Sequence, residues 1–322
     1  MKILVTGGAG YIGSTLVPLL LGAGNRVRVL DALAHGGKPL LGVWSHPEFE
    51  FIRGDVRDSA IVQQALTGTE AVVHLAAIVG DPACAREPEV ARSVNLEASL
   101  NLLNECKKKK ISRFVFASTC SNYGKMTDPS QYVNETSELR PVSLYAETKV
   151  GVEKAILDPK QTDDLCATAL RFATIYGVAP RMRFDLTVNE FTMEILTKKQ
   201  LTVFGEQFWR PYVHVRDAAR AIQMVLGQPA AKMRNAVFNV GATDQNYRKL
   251  DLVEMIKPYA PDAKIEFVKK NEDPRDYRVS FAKIKDQLGF EITRTVEQGV
   301  KEVVQLVQDK AIQDFDSPVY RN

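Results

Sequence analysis

The segment Gly7-Gly8-Ala9-Gly10-Tyr11-Ile12-Gly13 limits the possible folds of this chain more than any other feature. It follows a short apolar run, Lys2 to Thr6, and opens a helical pattern over Tyr11 to Gly22. Glycines concentrate where a backbone must turn sharply or lie against another backbone, because no Cβ stands in the way. A strand, a glycine-rich turn and a helix within the first 22 residues are the opening of a βαβ unit. The rest of the first half repeats that theme. Apolar runs at Arg26 to Asp31, Phe49 to Arg53, Ala71 to Ala76, Arg113 to Ser118 and Cys166 to Phe172 lack clean alternation, as strands covered on both faces do. Helical patterns at Ser59 to Gly68, Val90 to Lys108 and Ser143 to Leu157 fall between them. The expected fold class is therefore α/β, a doubly wound parallel sheet.

Beyond Gly177 prolines, arginines and aromatics crowd the chain, as in Trp209-Arg210-Pro211-Tyr212. A helix at Arg216 to Leu226 and a strand at Ala236 to Val240 are expected to return to the sheet. The anticipated division is a nucleotide-binding unit of residues 1–172 plus about 211–241, interleaved with a smaller α/β unit of about 173–210 plus 242–322. The lysine run Lys107 to Lys110 closes a helix, where cations suit the negative dipole end.

Gly8, Gly10 and Gly13 satisfy G-x-G-x-x-G, and Gly7, Gly10 and Gly13 give G-x-x-G-x-x-G. Such a turn brings backbone and a helix N-terminus against a pyrophosphate. The second strand ends in Asp31, about 20 residues on, placed to accept from ribose hydroxyls and to repel the extra phosphate of NADP. NAD is the expected cofactor. A turn-forming role remains the alternative for Asp31 alone. Asp55 is either an adenine contact or a helix cap before Ser59.

Tyr145 and Lys149 form a Tyr-x-x-x-Lys, and on a helix i and i+4 share a face. A free phenol has a pKa of roughly 10. A neighbouring ammonium and a positive nicotinamide ring are expected to lower it, so that phenolate can take a hydroxyl proton. Ser118 and Thr119 end the strand before them, at the edge where open α/β sheets bind ligands.

With these residues in view the chain resembles the extended short-chain dehydrogenase/reductases, in their NAD-dependent nucleotide-sugar epimerase/dehydratase family, over essentially its whole length. His74-Leu75-Ala76-Ala77, Asn95, Tyr123-Gly124, Arg171-Phe172, Tyr176-Gly177 and His214-Val215-Arg216-Asp217 complete the matching set. The resemblance implies a Rossmann fold, with Thr119, Tyr145 and Lys149 as the catalytic triad. It implies cofactor contacts from Gly7, Gly10, Tyr11, Ile12, Gly13, Asp31, Asp55, Val56, Leu75, Ala76, Ala77, Asn95 and Phe172, besides Tyr145 and Lys149. The expected reaction is oxidation of a sugar C4 hydroxyl on a nucleoside-diphosphate sugar, ending as an epimerase or a dehydrogenase. Relatives that dehydrate the sugar at C4 and C6 carry Asp-Glu after the catalytic Thr. Cys120-Ser121 stands there in this chain and disfavours dehydration, which stays an alternative alongside a non-catalytic NAD-binding regulator. Ala173-Thr174 occupies the place of an Asn that many members set against the diphosphate.

The substrate set is expected to include Val79, Ser118, Cys120, Ser121 and Thr174. Asn189, Arg210 and Arg275 are the candidates for the diphosphate, which guanidinium groups grip bidentately. Arg181 and Arg183 either join them or pair with Asp185, and Phe204 and Trp209 either stack on the base or belong to the core. Tyr176 to Leu186, Leu75 to Gly80 and Glu272 to Tyr277 are similar to GDP-heptose 4-dehydrogenases and their relatives.

A formal net charge of +3 calls for neither nucleic acid nor an anionic membrane. Cys84, Cys106, Cys120 and Cys166 show no Cys-x-x-Cys pair or histidine cluster, so no metal is expected and a reducing, cytoplasmic location is. No signal peptide is evident, and Leu16 to Leu21 is too short to span a bilayer. The resemblance implies a homodimer joined through the helices Val90 to Lys108 and Ser143 to Leu157.

Overall fold

The computed structural model describes residues 1–126, 128, 131–162, 164–270 and 275–322. Seven parallel strands form the main sheet: β1 (Lys2–Thr6), β2 (Arg26–Asp31), β3 (Phe49–Arg53), β4 (Ala71–His74), β5 (Arg113–Thr119), β6 (Cys166–Phe172) and β10 (Ala236–Val240). Their order is β10-β6-β5-β4-β1-β2-β3, so the winding reverses beside β1. Ligands of open α/β sheets sit outside the carboxyl ends at such a reversal.

Burial on both faces explains the absence of polar alternation in the sequence. Ile3 and Val5 join one core and Leu4 the other, and all three are fully buried. In β5 the same period of two sends Phe114 and Phe116 to one face and Val115 to the other. The first helix runs over Tyr11–Gly22, as the pattern predicts. The expected helix from Val90 to Lys108 is interrupted: Pro88–Arg92 and Ala98–Lys108 flank a π-helical turn at Ser93–Glu97. Such a turn inserts an extra residue and re-aims side chains. Asn95 lies within it.

Three strands, β7 (Thr174–Tyr176), β9 (Trp209–His214) and β11 (Asn246–Arg248), make a second sheet in the order β11-β9-β7. A further parallel pair joins β8 (Gln200–Phe204) to β12 (Lys264–Val268). The helices Thr187–Thr197, Lys249–Ile256 and Val296–Gln308 share one core with these strands, through Val188, Ile195, Leu252, Val300 and Val304. The anticipated return at about 211 falls inside β9, whose partners are β7 and β11, and the chain rejoins the main sheet with the helix Val215–Gly227 and β10. Tyr277, Val279, Phe281, Ile284 and Phe290, expected in the second unit, pack on the first unit's core. Phe281 lies against Gly241, where an added Cβ would come within 2.7 Å of its ring. Among the described residues, no helix is long and apolar enough to cross a membrane.

Candidate functional site

The glycine turn is packed as a dinucleotide loop requires. A Cβ on Gly7 would meet the backbone N of Ala76 at 2.7 Å, and one on Gly13 would meet the Gly7 carbonyl at 2.4 Å. Gly7 also has φ +74°, open to glycine without strain. Gly10 caps the Tyr11–Gly22 helix with no side-chain bond, so the first N–H groups face the turn and suit an anion. Asp31 closes this pocket, its carboxylate accepting from Ala9 N at 2.9 Å and Leu33 N at 2.7 Å. Burial raises its pKa against the lowering effect of those bonds. The residues thus fit the adenosine and pyrophosphate of NAD.

Asp55 is held by Arg57 through a paired contact at 2.6 Å, and the helix Ser59–Ala65 is capped by Asp58. The capping alternative for Asp55 is therefore corrected: the cap sits three residues later. Val56 is a core residue, and Leu75 packs against the core from the end of β4. Ala76 and Ala77 follow it at the carboxyl edge, partly exposed. Asn95 fastens the next residue, accepting from Ile78 N at 2.8 Å and donating to Ile78 O at 2.9 Å. His74 joins Thr6 at 2.6 Å to Ser99 at 2.8 Å, and burial together with Lys149 pushes its imidazole down to about 3. A neutral histidine thus ties β1, β4 and the interrupted helix together.

The helix Leu144–Leu157 carries Tyr145 and Lys149 on one face and begins at Ser143, whose hydroxyl accepts from Ala146 N and donates to Asp81 at 2.7 Å. Lys149 is buried, donates to Ala117 O at 2.9 Å and lies 5.9 Å from the Tyr145 ring centre. Burial pushes its ammonium down to about 8. Tyr145 is partly exposed. Burial raises its phenol above the ordinary value, and the leading cation acting against that is Arg183, not Lys149. Within the chain alone the expected lowering by Lys149 is thus outweighed. Thr119 ends β5, its hydroxyl accepting from Ser121 N at 3.1 Å.

Of the expected substrate residues, several face elsewhere. Ser118 is buried and donates to Glu153 at 2.8 Å. The Cys120 thiol is buried, donates to Arg171 O at 3.2 Å and is held well above its ordinary pKa by that burial. Asn189 is fully enclosed; it accepts from Gly177 N at 2.9 Å and donates to Arg183 O at 2.8 Å and the Tyr11 hydroxyl at 3.1 Å. Tyr11 in turn donates to Gly177 O. These three side chains are spent on internal partners because each lies at a junction between elements. Phe204 is an exposed end of β8, with the Lys270 ammonium 5.3 Å from its ring centre. Phe172 is buried at the end of β6, and Thr174 is partly buried on β7.

Other expected residues pair with partners from distant parts of the chain. Arg183 pairs with Asp185 at 2.7 Å, as the alternative reading has it, and acts electrostatically on Tyr145. Buried Arg181 donates to Arg321 O at 3.0 Å and Asn322 Oδ1 at 2.8 Å, and burial pushes its guanidinium down to about 10. Asn322 also donates to Val79 O at 3.5 Å. Arg210 lies 5.5 Å from the Tyr277 ring centre, and Ser121 hydrogen-bonds Tyr277. Arg275 pairs across the cleft with Asp81 at 3.0 Å. The start of its motif, Glu272 to Pro274, lies outside the described residues. Asp81, Tyr277, Glu153 and Asn322 were not expected at the site. Glu153 had a readable signal, standing eight residues after Tyr145 on the same helical face, and Tyr277 closes the Glu272 to Tyr277 motif.

The model of the NAD dependent epimerase/dehydratase family matches residues 3–241. A dTDP-glucose 4,6-dehydratase of Actinoplanes sp. is 31% identical over 320 residues, covering 94% of this chain and 97% of the relative. A UDP-glucose 4-epimerase of Lactobacillus helveticus is 30% identical over 276 residues, 80% of this chain and 81% of the relative. Among solved structures, UDP-glucuronic acid 4-epimerase from Bacillus cereus, in complex with UDP-glucuronic acid and NAD, superposes with TM-score 0.84. It is 26% identical and covers 96% of this chain and 99% of that one.

Proposed function

Because the chain belongs to the NAD-dependent epimerase/dehydratase family, we propose that it oxidises the C4 hydroxyl of a nucleoside-diphosphate sugar to a 4-keto species, as a 4-epimerase or 4-dehydrogenase. The observation that carries this is the placing of Tyr145, Lys149 and Thr119 at the carboxyl edge of β5, beside the turn that fits NAD. NAD, when bound, would accept the hydride from C4. Tyr145 removes the hydroxyl proton. Arg183 favours the phenolate electrostatically, and the Lys149 ammonium lies 5.9 Å from the ring centre. Thr119 orients the reacting oxygen at the end of β5. Arg181, Arg183, Arg210 and Arg275 form the cationic side of the cleft that holds the diphosphate.

The dTDP-glucose 4,6-dehydratase relative favours a second reading, elimination of water after the same oxidation. Against it, the Cys120 thiol is a poor acid–base group here, turned to the Arg171 carbonyl. Incubation with UDP-glucose, dTDP-glucose and GDP-mannose separates the outcomes. An epimerised sugar without net NADH supports the epimerase, and accumulating NADH the dehydrogenase. A 4-keto-6-deoxy product would replace both by the dehydratase. Four free, buried cysteines support a reducing, cytoplasmic setting. The proposed assembly is a homodimer through the helices that end at Lys108 and Leu157, and light scattering tests it. A monomer at working concentration would reject it.

A further inference from the structure

Glu153 is the deepest charge in the region, and the oxidation proposed above does not use it. Its side chain is 1% exposed, and that of its partner Arg171 is 3%. Arg171 Nε donates to both Glu153 oxygens at 3.0 and 3.1 Å, and its terminal nitrogen bonds Oε1 as well. Ser118 donates to Oε2 at 2.8 Å, and Asn122 donates to Oε2 at 3.4 Å and to the Ser118 hydroxyl at 3.1 Å. Arg171 also donates to the Tyr123 hydroxyl at 2.8 Å, which donates to Asn239 on β10 at 2.7 Å. One carboxylate therefore gathers the ends of β5, β6 and β10.

A buried ion pair is costly to desolvate and is frequently no more stable than an apolar substitute. Its use here is geometric. Tyr145, Lys149 and Glu153 stand at i, i+4 and i+8, on one face of the helix. Lys149 fixes that face to Ala117 O, and Glu153 fixes it to Ser118, one residue before Thr119. The two bonds hold the helix from sliding or rotating along β5. The distance between the phenol of Tyr145 and the hydroxyl of Thr119 depends on that register. Resting on the reading of Tyr145 as the base, we propose that Glu153, with Arg171 and Ser118, is a positioning residue that sets the catalytic helix against β5.

The experiment compares wild type with Glu153→Gln, Ser118→Ala and the double variant Glu153→Leu/Arg171→Met, each as the full chain. The double variant removes both charges at similar volume and so remains folded even where Glu153→Gln, with its stranded guanidinium, does not. Turnover is assayed with UDP-glucose, dTDP-glucose and GDP-mannose. In parallel, tyrosinate formation is followed by ultraviolet titration against the Tyr145→Phe counterpart of each protein. A displacement of about 1 Å can cost on the order of 100-fold in rate. The expected result is a fall in kcat of about that size in Glu153→Gln and the double variant, about tenfold in Ser118→Ala, with KM changed by no more than about threefold. The Tyr145 titration shifts in all three. Thermal stability returning in the double variant while kcat stays low supports positioning. A double variant with wild-type kcat and an unshifted Tyr145 titration overturns it, leaving the pair a stability element alone. If wild type turns over none of the three sugars, the functional reading is what has failed, and the titration alone decides the positioning role.

Discussion

Tyr145 illustrates how far a single residue can be read before its surroundings are known. The i, i+4 spacing to Lys149 places two functional groups together, but burial raises the phenol instead of lowering it. Tyr145→Phe is expected to reduce turnover by at least about 1,000-fold while leaving bound NAD in place, within the range that combined proton transfer and electrostatic stabilisation supply. Quantifying NAD released from the denatured variant checks the second half of that statement. Lys149 makes a pH prediction. Its folded value of about 8 lies below that of a free lysine, about 10.4. Between those values the unfolded chain holds more protons than the folded one, so this group makes stability rise with pH across that window. Lys149→Met loses the rise. It should be more stable than wild type at pH 7, by about 1–2 kcal/mol after the lost bond to Ala117 O is allowed for, and the difference should close by about pH 10. Paired thermal melts at the two pH values measure it; a difference that does not change with pH would contradict the depressed value.

At the scale of elements, the glycine turn and the strands of the main sheet were legible because their causes are local. Gly13 must be small because its neighbours are backbone atoms of the same turn, at 2.4 and 2.6 Å from an added Cβ. Gly13→Ala should therefore cost about 1–3 kcal/mol by overpacking and weaken NAD binding at least tenfold. Gly22→Ala is the contrasting case. Nothing lies within 4 Å of its added Cβ, and alanine there should stabilise the helix by about 0.5–1 kcal/mol. Melting curves and NAD titration of both proteins test the pair, and equal effects would show that crowding is not what selects Gly13. The π-helical turn at Ser93–Glu97 was not legible. Apolar spacing continues through it, and the contact made from it, between Asn95 and Ile78, spans 17 positions.

For the whole molecule, the final residues hold together walls of the cleft that are far apart in sequence. Tyr320 O accepts from Phe184 N at 2.9 Å, Asn322 N donates to Asp185 at 3.1 Å, and Phe315 and Tyr320 pack edge-on to Phe184. Removing residues 318–322 frees Arg181 and Asp185 of these partners. The truncated protein is expected to bind nucleoside-diphosphate sugars several-fold less tightly with NAD affinity unchanged, and to melt a few degrees lower, since about 1 kcal/mol moves Tm by roughly 2–4 °C in chains of 150–250 residues and by less in a longer one. Calorimetric titration with UDP and with NAD separates the two, and equal losses would place the tail's influence on the fold at large.

What the sequence determined by itself was whatever depends on neighbours a few residues away. That covers the alternation of strands and helices, the steric demand for glycine after β1, the acid ending β2, and the shared face of Tyr145 and Lys149. What tertiary structure alone decided was which of two adjacent hydroxyls remains for the cleft and which arginines keep a charge toward it. Ser118 and Thr119 look alike in sequence, yet the first is taken by Glu153, 35 residues away. Arg171 is taken by the same carboxylate, whereas Arg183, though paired with Asp185, still acts on the phenol. Strand and helix periods follow from backbone geometry and burial over a few residues. The pairing of buried charges follows from which elements the folded chain brings within hydrogen-bond reach.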